Sequence, residues 1–185
     1  MGQPQTVRTA IVAPGGGYGP DGPLLMYAGL AVRRRGGTVR PIVWDFKEGA
    51  DFRQQRERVV SQVEAAIDDP AVTGTTPLIV GKSLGSLSAP AVADRSLAAV
   101  WFTPLLTHEP TAAALRRATA PCLLIGGTAD KFWDGSLARD ISPHVVEVAG
   151  ADHGMFVPGP LAASAAVLGQ IISAVEDFLD RTDWP

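Results

Sequence analysis

Six short runs rich in Val, Ile and Leu alternate along the chain with longer amphipathic segments. This alternation is typical of crossover units, in which a strand is followed by a helix and then by a parallel strand. Strands covered by helices on both faces form continuous apolar runs. The pattern therefore predicts an α/β three-layer sandwich with a mostly parallel six-stranded sheet. The predicted strands are Val7–Ala13, Thr38–Val43, Pro77–Val80, Ala98–Phe102, Cys122–Ile125 and Val145–Val148.

The segments between these strands have the length and periodicity of helices. In the last segment, apolar residues recur from Leu168 to Leu179 at steps of three and four, which places them on one helical face. No linker, repeat or low-complexity segment interrupts the 185 residues, so we expect a single domain. The predicted helices are Leu24–Arg35, Phe52–Ile67, Leu84–Ala93, Thr111–Ala118, Gly135–Asp140 and Leu161–Leu179.

The charge balance of the chain argues against a nucleic-acid partner. Sixteen Lys and Arg against nineteen Asp and Glu give a formal net charge of −3, too near balance to attract phosphates non-specifically. The basic cluster from Arg33 to Arg35 lies at the end of a predicted helix, where cations complement the helix dipole. We interpret it as a solvated helix end and expect no nucleic acid to bind.

Cysteine content and hydropathy limit the remaining classes of protein. Cys122 is the only cysteine, so the chain cannot form an internal disulfide or a Cys-rich zinc site. No apolar run approaches the roughly 20 residues of a membrane span, and the first residues lack the basic-then-apolar pattern of a secretory signal. We therefore expect a cytoplasmic protein that acts on a small molecule without metal, cofactor or membrane. The sequence leaves open whether it forms a homo-oligomer.

The residues that carry chemistry follow the predicted strands. In an open parallel sheet, the ligand crevice forms outside the carboxyl ends of the strands. After the third predicted strand comes Gly81-Lys82-Ser83-Leu84-Gly85, a G-x-S-x-G sequence between a strand and a helix. In that setting the serine occupies a strained turn, and side chains at the glycine positions would collide with the neighbouring strand or helix. Ser83 is therefore the candidate nucleophile, and Lys82 is expected to face solvent, with a substrate anion as the alternative.

Two backbone segments are candidates for stabilising an oxyanion. The Leu84 N–H lies at a predicted helix N-terminus, where free N–H groups and the helix dipole favour negative charge. The loop from Pro14 to Gly19 contains a run of glycines, which lets backbone N–H groups approach a substrate oxygen closely. Gly16 or Gly17 is the candidate second donor, and a glycine turn without a contact role is the alternative.

His153 is the candidate general base among the three histidines. It follows the sixth predicted strand and can reach the crevice, whereas His144 precedes that strand and lies at the opposite edge. His108 follows the fourth strand, and we assign it to the substrate pocket. An imidazole base needs a carboxylate that accepts its Nδ1 proton. Asp130 after the fifth strand is preferred to Asp134, whose position suits a helix N-cap.

Three motifs together resemble the α/β-hydrolase superfamily, especially its small uncapped carboxylesterase and dienelactone-hydrolase-like branch. Their order places serine, aspartate and histidine as in that fold. The resemblance implies a nucleophilic Ser83 acting on an ester, thioester or lactone, with oxyanion donors at Leu84 and Gly16. The superfamily's two opening strands are absent, which implies a sheet of six. The motifs are Gly81-Lys82-Ser83-Leu84-Gly85, Gly126-Gly127-Thr128-Ala129-Asp130 and Ala151-Asp152-His153-Gly154.

The crevice loops predict an open, apolar substrate site. Only 18 residues, Thr103 to Ala120, separate the fourth and fifth strands, which is too few for a cap domain. An apolar lining suits an acyl or alkyl group. Pro90 should kink or end the helix after Ser83, because it removes a backbone hydrogen bond. The predicted lining residues are Tyr18, Leu105, Leu106, His108, Phe132, Trp133, Met155 and Phe156.

Other functions remain as alternatives. The segment from Gly17 to Gly22 matches the dinucleotide pattern G-x-G-x-x-G, with Asp45 placed for a ribose hydroxyl. Pro20 and Pro23, however, lengthen a turn that should run tightly into its helix. A P-loop would need a glycine where Thr76 stands. A protein that keeps the hydrolase fold and binds a small ligand without turnover is a further alternative, because a fold does not fix a function.

Overall fold

The computed structural model describes residues 8–72 and 75–182, and a six-stranded parallel sheet forms its centre. Its strands are β1 Thr9–Ala13, β2 Thr38–Pro41, β3 Leu78–Lys82, β4 Ala99–Phe102, β5 Cys122–Gly127 and β6 His144–Val148. Their order is β2-β1-β3-β4-β5-β6, and every neighbouring pair is parallel. The chain leaves β1 towards β2 and leaves β3 in the opposite direction, so a crevice opens between the carboxyl ends of β1 and β3.

Helices cover both faces of the sheet. Residues of alternating parity on each strand face opposite layers, so that Val80 and Ile79 of β3 belong to different core clusters. One layer contains α1 and α6, and the other contains α2, α3, α4 and α5. Burial on both faces explains why the strands form continuous apolar runs. The helices are α1 Pro23–Arg34, α2 Phe52–Ile67, α3 Ala89–Asp94, α4 Glu109–Arg117, α5 Gly135–Ile141 and α6 Leu161–Arg181.

The predicted α/β class and the six-stranded sheet are confirmed, with small shifts at element ends. The third strand runs two residues further than expected, to Lys82. The first strand begins at Thr9, and Val7 lies outside the described residues. These shifts leave the predicted order of strands and loops unchanged.

The prediction of one helix over Leu84–Ala93 is wrong. Ser83–Ser88 forms a 3₁₀-helix, and the α-helix begins only at Ala89. Pro90 lies in the first turn of α3, where a missing N–H leaves no hydrogen bond unmade. Its fixed backbone suits the start of a helix and not the interior of a longer one. The turn after Ser83 is therefore wound more tightly than expected.

Helix α6 is the one helix in residues 8–72 and 75–182 that is long and apolar enough to cross a membrane by length and composition. The expectation that no segment approaches this length is therefore wrong. Val167, Ile171, Val175 and Phe178 form its buried face, which packs on the sheet beside α1. The cytoplasmic location and the absence of a membrane partner stay predictions.

Candidate active site

Ser83 lies on a sharp turn at the carboxyl end of β3. Its φ of 48° falls in the left-handed region, which residues other than glycine rarely adopt. A Cβ on Gly81 would lie 2.3 Å from the Trp101 ring, and one on Gly85 would lie 2.1 Å from the carbonyl oxygen of Ala13. Both glycines are therefore required by close approaches of neighbouring strands. The turn leaves the Ser83 hydroxyl at the edge of the crevice.

Three side chains from distant parts of the chain meet at this edge. His153 Nε2 lies 2.7 Å from Ser83 Oγ, and His153 Nδ1 lies 2.7 Å from Asp130 Oδ2. The Asp130 side chain is fully buried, whereas a third of the His153 side chain is exposed. The three residues follow β3, β5 and β6, whose carboxyl ends all open on the same edge of the sheet. The structure thus brings together the three residues that the sequence selected.

The Asp130 carboxylate is held from two sides. Oδ1 accepts a hydrogen bond from the Phe132 N–H at 2.9 Å, while Oδ2 faces the imidazole. A carboxylate accepts only, so His153 Nδ1 carries the proton and Nε2 is left to accept from the Ser83 hydroxyl. The rival carboxylate Asp134 caps α5 and accepts from the Leu137 N–H at 2.9 Å. The geometry therefore assigns the imidazole contact to Asp130.

Asp152, which the sequence analysis did not single out, shapes the loop that carries His153. Its Oδ1 accepts hydrogen bonds from the N–H groups of Gly154 at 2.8 Å and Phe156 at 2.9 Å. The Asp152 N–H donates to the Phe156 carbonyl at 2.9 Å, which closes the loop on itself. Because both ends of the loop are tied, the imidazole is presented in one orientation. An Asp two residues before a Gly is a turn signal that could have indicated this role.

The glycine loop lies beside the first residue after Ser83. A Cβ on Gly16 would lie 3.4 Å from Leu84 Cδ2, whereas a Cβ on Gly17 would meet no heavy atom within 4 Å. In the part of the chain that the structure describes, neither glycine N–H has a hydrogen-bond acceptor. Gly15 is different, because its N–H donates to the Tyr18 carbonyl at 3.0 Å. Both glycines line the cleft at Ser83, and Gly16 lies nearer to the Leu84 side chain.

Ser83 opens on a cleft of about 440 Å³. Leu105, His108 and Phe132 line it as predicted, and the Phe132 ring meets the His153 ring edge-on at 5.1 Å between centroids. His108 Nδ1 lies 3.0 Å from Thr111 Oγ1. Burial, followed by the positive charge of Arg56, lowers the pKa of His108, so this wall of the cleft is uncharged at neutral pH. The lining residues are Gly16, Gly17, Phe52, Gln55, Ser83, Leu84, Leu105, Thr107, His108 and Phe132.

The prediction that Leu106 and Trp133 line the cleft is wrong. Leu106 is buried in the core layer between the sheet and helices α2 to α5. Trp133 is buried in the same layer, where its indole packs over Gly126 and its Nε1–H donates to Glu147 Oε2 at 2.7 Å. Both follow strands, as the sequence analysis required, but their side chains point below the crevice. The position of a residue in a loop did not determine which way its side chain faces.

Three further residues that were predicted to line the substrate site line a separate apolar cavity instead. Tyr18, Met155 and Phe156 line a cavity of about 280 Å³ between α1 and α6, and they do not line the cleft at Ser83. The Tyr18 hydroxyl accepts a hydrogen bond from the Leu24 N–H at 2.8 Å, which fixes the ring beneath the glycine loop. The prediction that these three residues line the cleft at Ser83 is therefore wrong.

Lys82 is buried beneath the site, so the expectation that it faces solvent is wrong. Only 3% of the residue is exposed. Its Nζ donates to Thr103 Oγ1 at 3.2 Å and to the His153 carbonyl at 3.1 Å, and it lies 4.7 Å from the Tyr18 ring centroid. Burial lowers the pKa of Lys82 to about 8, and the negative charge of Asp130 opposes a larger change.

The geometry of the glycine loop does not favour a dinucleotide. Nine residues separate β1 from α1, which begins at Pro23, so the loop does not run directly into a helix N-terminus. The Asp45 carboxylate is bound by the Arg58 guanidinium and not presented to a ribose. The pattern from Gly17 to Gly22 therefore forms a loop over the crevice.

No protein-family model and no curated protein sequence matches this chain, but solved structures do. Est1E from Butyrivibrio proteoclasticus superposes with a TM-score of 0.72 at 13% identity, covering 97% of this chain and 89% of that one. Alpha/beta hydrolase domain-containing protein 10 from mouse gives 0.67 at 15% identity, with 98% and 92% covered. A serine hydrolase without lid from Xanthomonas campestris gives 0.66 at 18%, with 97% and 85% covered. The chain has the α/β-hydrolase fold.

This α/β-hydrolase fold is reduced to its sheet and the helices that cover it. Only the loop before α4, α4 itself and a short loop lie between β4 and β5. The glycine loop follows the first strand of the sheet, and Ser83 follows the third. In residues 8–72 and 75–182 the sheet has the expected six strands, and no cap covers the crevice.

Proposed function

We propose that this α/β-hydrolase-fold protein is a serine hydrolase that cleaves small ester-like substrates through an acyl-enzyme on Ser83. We place it in the small uncapped carboxylesterase and dienelactone-hydrolase-like branch. One observation carries the proposal: Ser83 Oγ, the His153 imidazole and the Asp130 carboxylate form a continuous hydrogen-bonded series, with 2.7 Å at each step. A serine hydroxyl is a weak nucleophile until such a base is within hydrogen-bond reach.

In the acylation step, Ser83 Oγ attacks the carbonyl carbon while His153 Nε2 takes the hydroxyl proton. The carbonyl oxygen becomes an oxyanion, which the Leu84 N–H and the Gly16 N–H stabilise as donors fixed before the reaction. Asp130 holds the imidazole in the required tautomer and offsets the imidazolium charge. The imidazolium then gives its proton to the leaving alcohol oxygen, and the substrate acyl group remains on Ser83.

In the deacylation step, water replaces the alcohol. His153 Nε2 removes a proton from water as its oxygen attacks the acyl carbonyl, and the same donors hold the second oxyanion. When this intermediate collapses, the imidazolium returns the proton to Ser83 Oγ and the carboxylic acid is released. Each proton taken by His153 is thus returned within the same half-reaction.

The cleft favours small, largely apolar acyl groups. Its volume of about 440 Å³ lies at the low end of the range for small-molecule sites. Leu105, Phe52 and Phe132 supply apolar walls near Ser83, while Thr107 and His108 supply polar groups. Within the described residues no cap covers the crevice, so a long acyl chain would not be enclosed. Short p-nitrophenyl esters are therefore the substrates with which to begin.

Reaction with a fluorophosphonate tests the nucleophile directly. We expect one adduct by intact mass, mapped to Ser83, and loss of both labelling and ester turnover in Ser83→Ala with an unchanged circular dichroism spectrum. Ser173→Ala is the matched control, because that serine is exposed on α6, where its hydroxyl binds the Gly169 carbonyl. Turnover that survives in Ser83→Ala would refute the proposal. A wild-type protein that gains no adduct and binds esters unchanged would instead support a binding function.

A further inference from the structure

The acyl-transfer steps above make no use of a buried cation that lies directly beneath them. Lys82 precedes Ser83 in the chain, and its ammonium bonds to the main chain of His153. We propose that Lys82 is a positioning residue that anchors the His153 loop to β3, so that the imidazole stays in the orientation in which it can accept the Ser83 proton. This inference rests on the proposed hydrolase function and adds to it a control of the base.

The anchoring follows from the hydrogen bonds. Ser83 and His153 are joined once through their side chains, at 2.7 Å, and a second time through the Lys82 ammonium and the His153 carbonyl, at 3.1 Å. The ammonium also donates to Thr103 Oγ1, just after β4, at 3.2 Å. It therefore ties together the ends of β3 and β4 and the loop that follows β6. Loss of these bonds would free the imidazole relative to the hydroxyl that it must deprotonate.

An aromatic ring lies on the remaining side of the Lys82 ammonium. The Tyr18 ring lies 4.7 Å from Lys82 Nζ, in the range of a cation–π contact. With a hydroxyl, a carbonyl and an aromatic face around it, the ammonium has partners on each side and points into the protein. It is therefore placed to hold other groups and not to contact a substrate in the cleft.

Charged groups also surround the ammonium. The carboxylates of Asp130 and Asp152 face Lys82 from the loops after β5 and β6, and Tyr18 faces it from the loop after β1. Its contact with His153 is with the main-chain carbonyl. Lys82 thus joins the loops that carry Asp130 and His153 to the strand that leads into Ser83.

The ammonium form that makes these contacts is present at neutral pH. Burial lowers the pKa of Lys82 to about 8, and the charges of Asp130 and Asp152 act in the opposite direction. The protonated form therefore predominates near pH 7, with its hydrogen-bond donors available to Thr103 and His153.

Lys82→Met tests the inference, because methionine retains most of the side-chain length and removes the hydrogen-bond donors. We expect kcat for short p-nitrophenyl esters to fall about ten-fold as the loop loosens, with KM little changed and the circular dichroism spectrum unchanged. The rate at which a fluorophosphonate labels Ser83 should fall by a similar factor, because labelling needs the same base.

Lys131→Met is the matched control. Lys131 follows Asp130 but is exposed, with its ammonium 4.9 Å from the Phe132 ring centroid, so solvent screens its charge. Its kcat and labelling rate should change little. An equal fall in both variants, or none in Lys82→Met, would overturn the inference.

Two further variants keep the inference falsifiable. Thr103→Val removes one partner of the ammonium and leaves the bond to the His153 carbonyl, so we expect a smaller fall in kcat than in Lys82→Met. Lys82→Arg should restore part of kcat, because it returns a donor to that carbonyl. A wild-type kcat in Lys82→Met while Ser83→Ala still abolishes hydrolysis would sink the inference and leave the hydrolase. Turnover that persists in Ser83→Ala would refute the proposed function and with it the role given to Lys82.

Discussion

The charge on Lys82 should make the free energy of unfolding rise as the pH is raised above neutrality. The pKa of Lys82 is lowered from 10.5 to about 8 by burial, with Asp130 opposing the change. In the unfolded chain Lys82 keeps its proton up to about pH 10.5, whereas the folded protein releases it near pH 8. Between these values the unfolded state binds more protons, so the free energy of unfolding rises with pH.

The size of this effect follows from the same pKa. A difference of roughly two and a half units between the folded and unfolded states corresponds to about 3 kcal/mol. Most of it, about 2 to 3 kcal/mol, should be recovered between roughly pH 7 and pH 10. Lys82→Met has no such proton, and its apolar side chain suits the buried site beside the Tyr18 ring. The variant should therefore lack this rise.

Urea unfolding of both proteins from neutral to alkaline pH measures the difference. Burial raises the pKa values of Tyr18 and Cys122, which lowers the stability of both proteins at high pH. Subtraction of one curve from the other removes the contribution of Cys122. Because Tyr18 contacts Lys82, the comparison ends at pH 10, the ordinary pKa of tyrosine. Over this range we expect the free energy of unfolding of the wild type to rise by about 2 to 3 kcal/mol relative to that of Lys82→Met. Lys131→Met, which removes an exposed lysine, should follow the wild type. A difference that stays constant with pH would refute the reasoning.

Three further substitutions have direct consequences. Asp130→Asn should lower kcat for p-nitrophenyl acetate by about a thousand-fold or more, because the amide no longer fixes the reactive imidazole tautomer. Asp134→Asn should retain activity, because its amide oxygen can still accept from the Leu137 N–H and cap the helix. Gly85→Ala should destabilise the protein in thermal melts, since its Cβ would lie 2.1 Å from a carbonyl oxygen, while Gly169→Ala, with open space around it, should not. Phe132→Ala should raise KM for butyrate esters more than for acetate esters, because it removes an apolar wall of the cleft; equal changes would contradict that role.

The elements that could be predicted from the sequence are those fixed by local chemistry. Gly81 and Gly85 mark a turn that only glycines permit at those positions, and the structure supplies the strand contacts that explain why. The order of Ser83, Asp130 and His153 along the chain placed them after strands whose carboxyl ends share one edge. Such predictions need only the periodicity of strands and the rules of parallel sheets.

What could not be predicted depends on how layers pack. Phe52 and Gln55 reach the cleft because the N-terminus of α2 lies over it, and no pattern in α2 indicates that approach. Leu106 and Trp133 follow strands but turn into the core. The burial of Lys82 had a readable signal, as did the turn at Asp152, since strand alternation places Lys82 on the face of β3 that carries Leu78 and Val80, both buried.

The buried lysine links the stability of this fold to its proposed chemistry. The Asp130 side chain is fully buried, and an isolated carboxylate in such a place would be expensive. The carboxylate accepts hydrogen bonds from the Phe132 N–H and the imidazole, and the buried charge of Lys82 acts on it as well. The same ammonium holds the His153 loop through the His153 carbonyl. The destabilisation that Lys82 causes below about pH 8 is then the counterpart of a cation that must stay buried to hold the proposed base over Ser83.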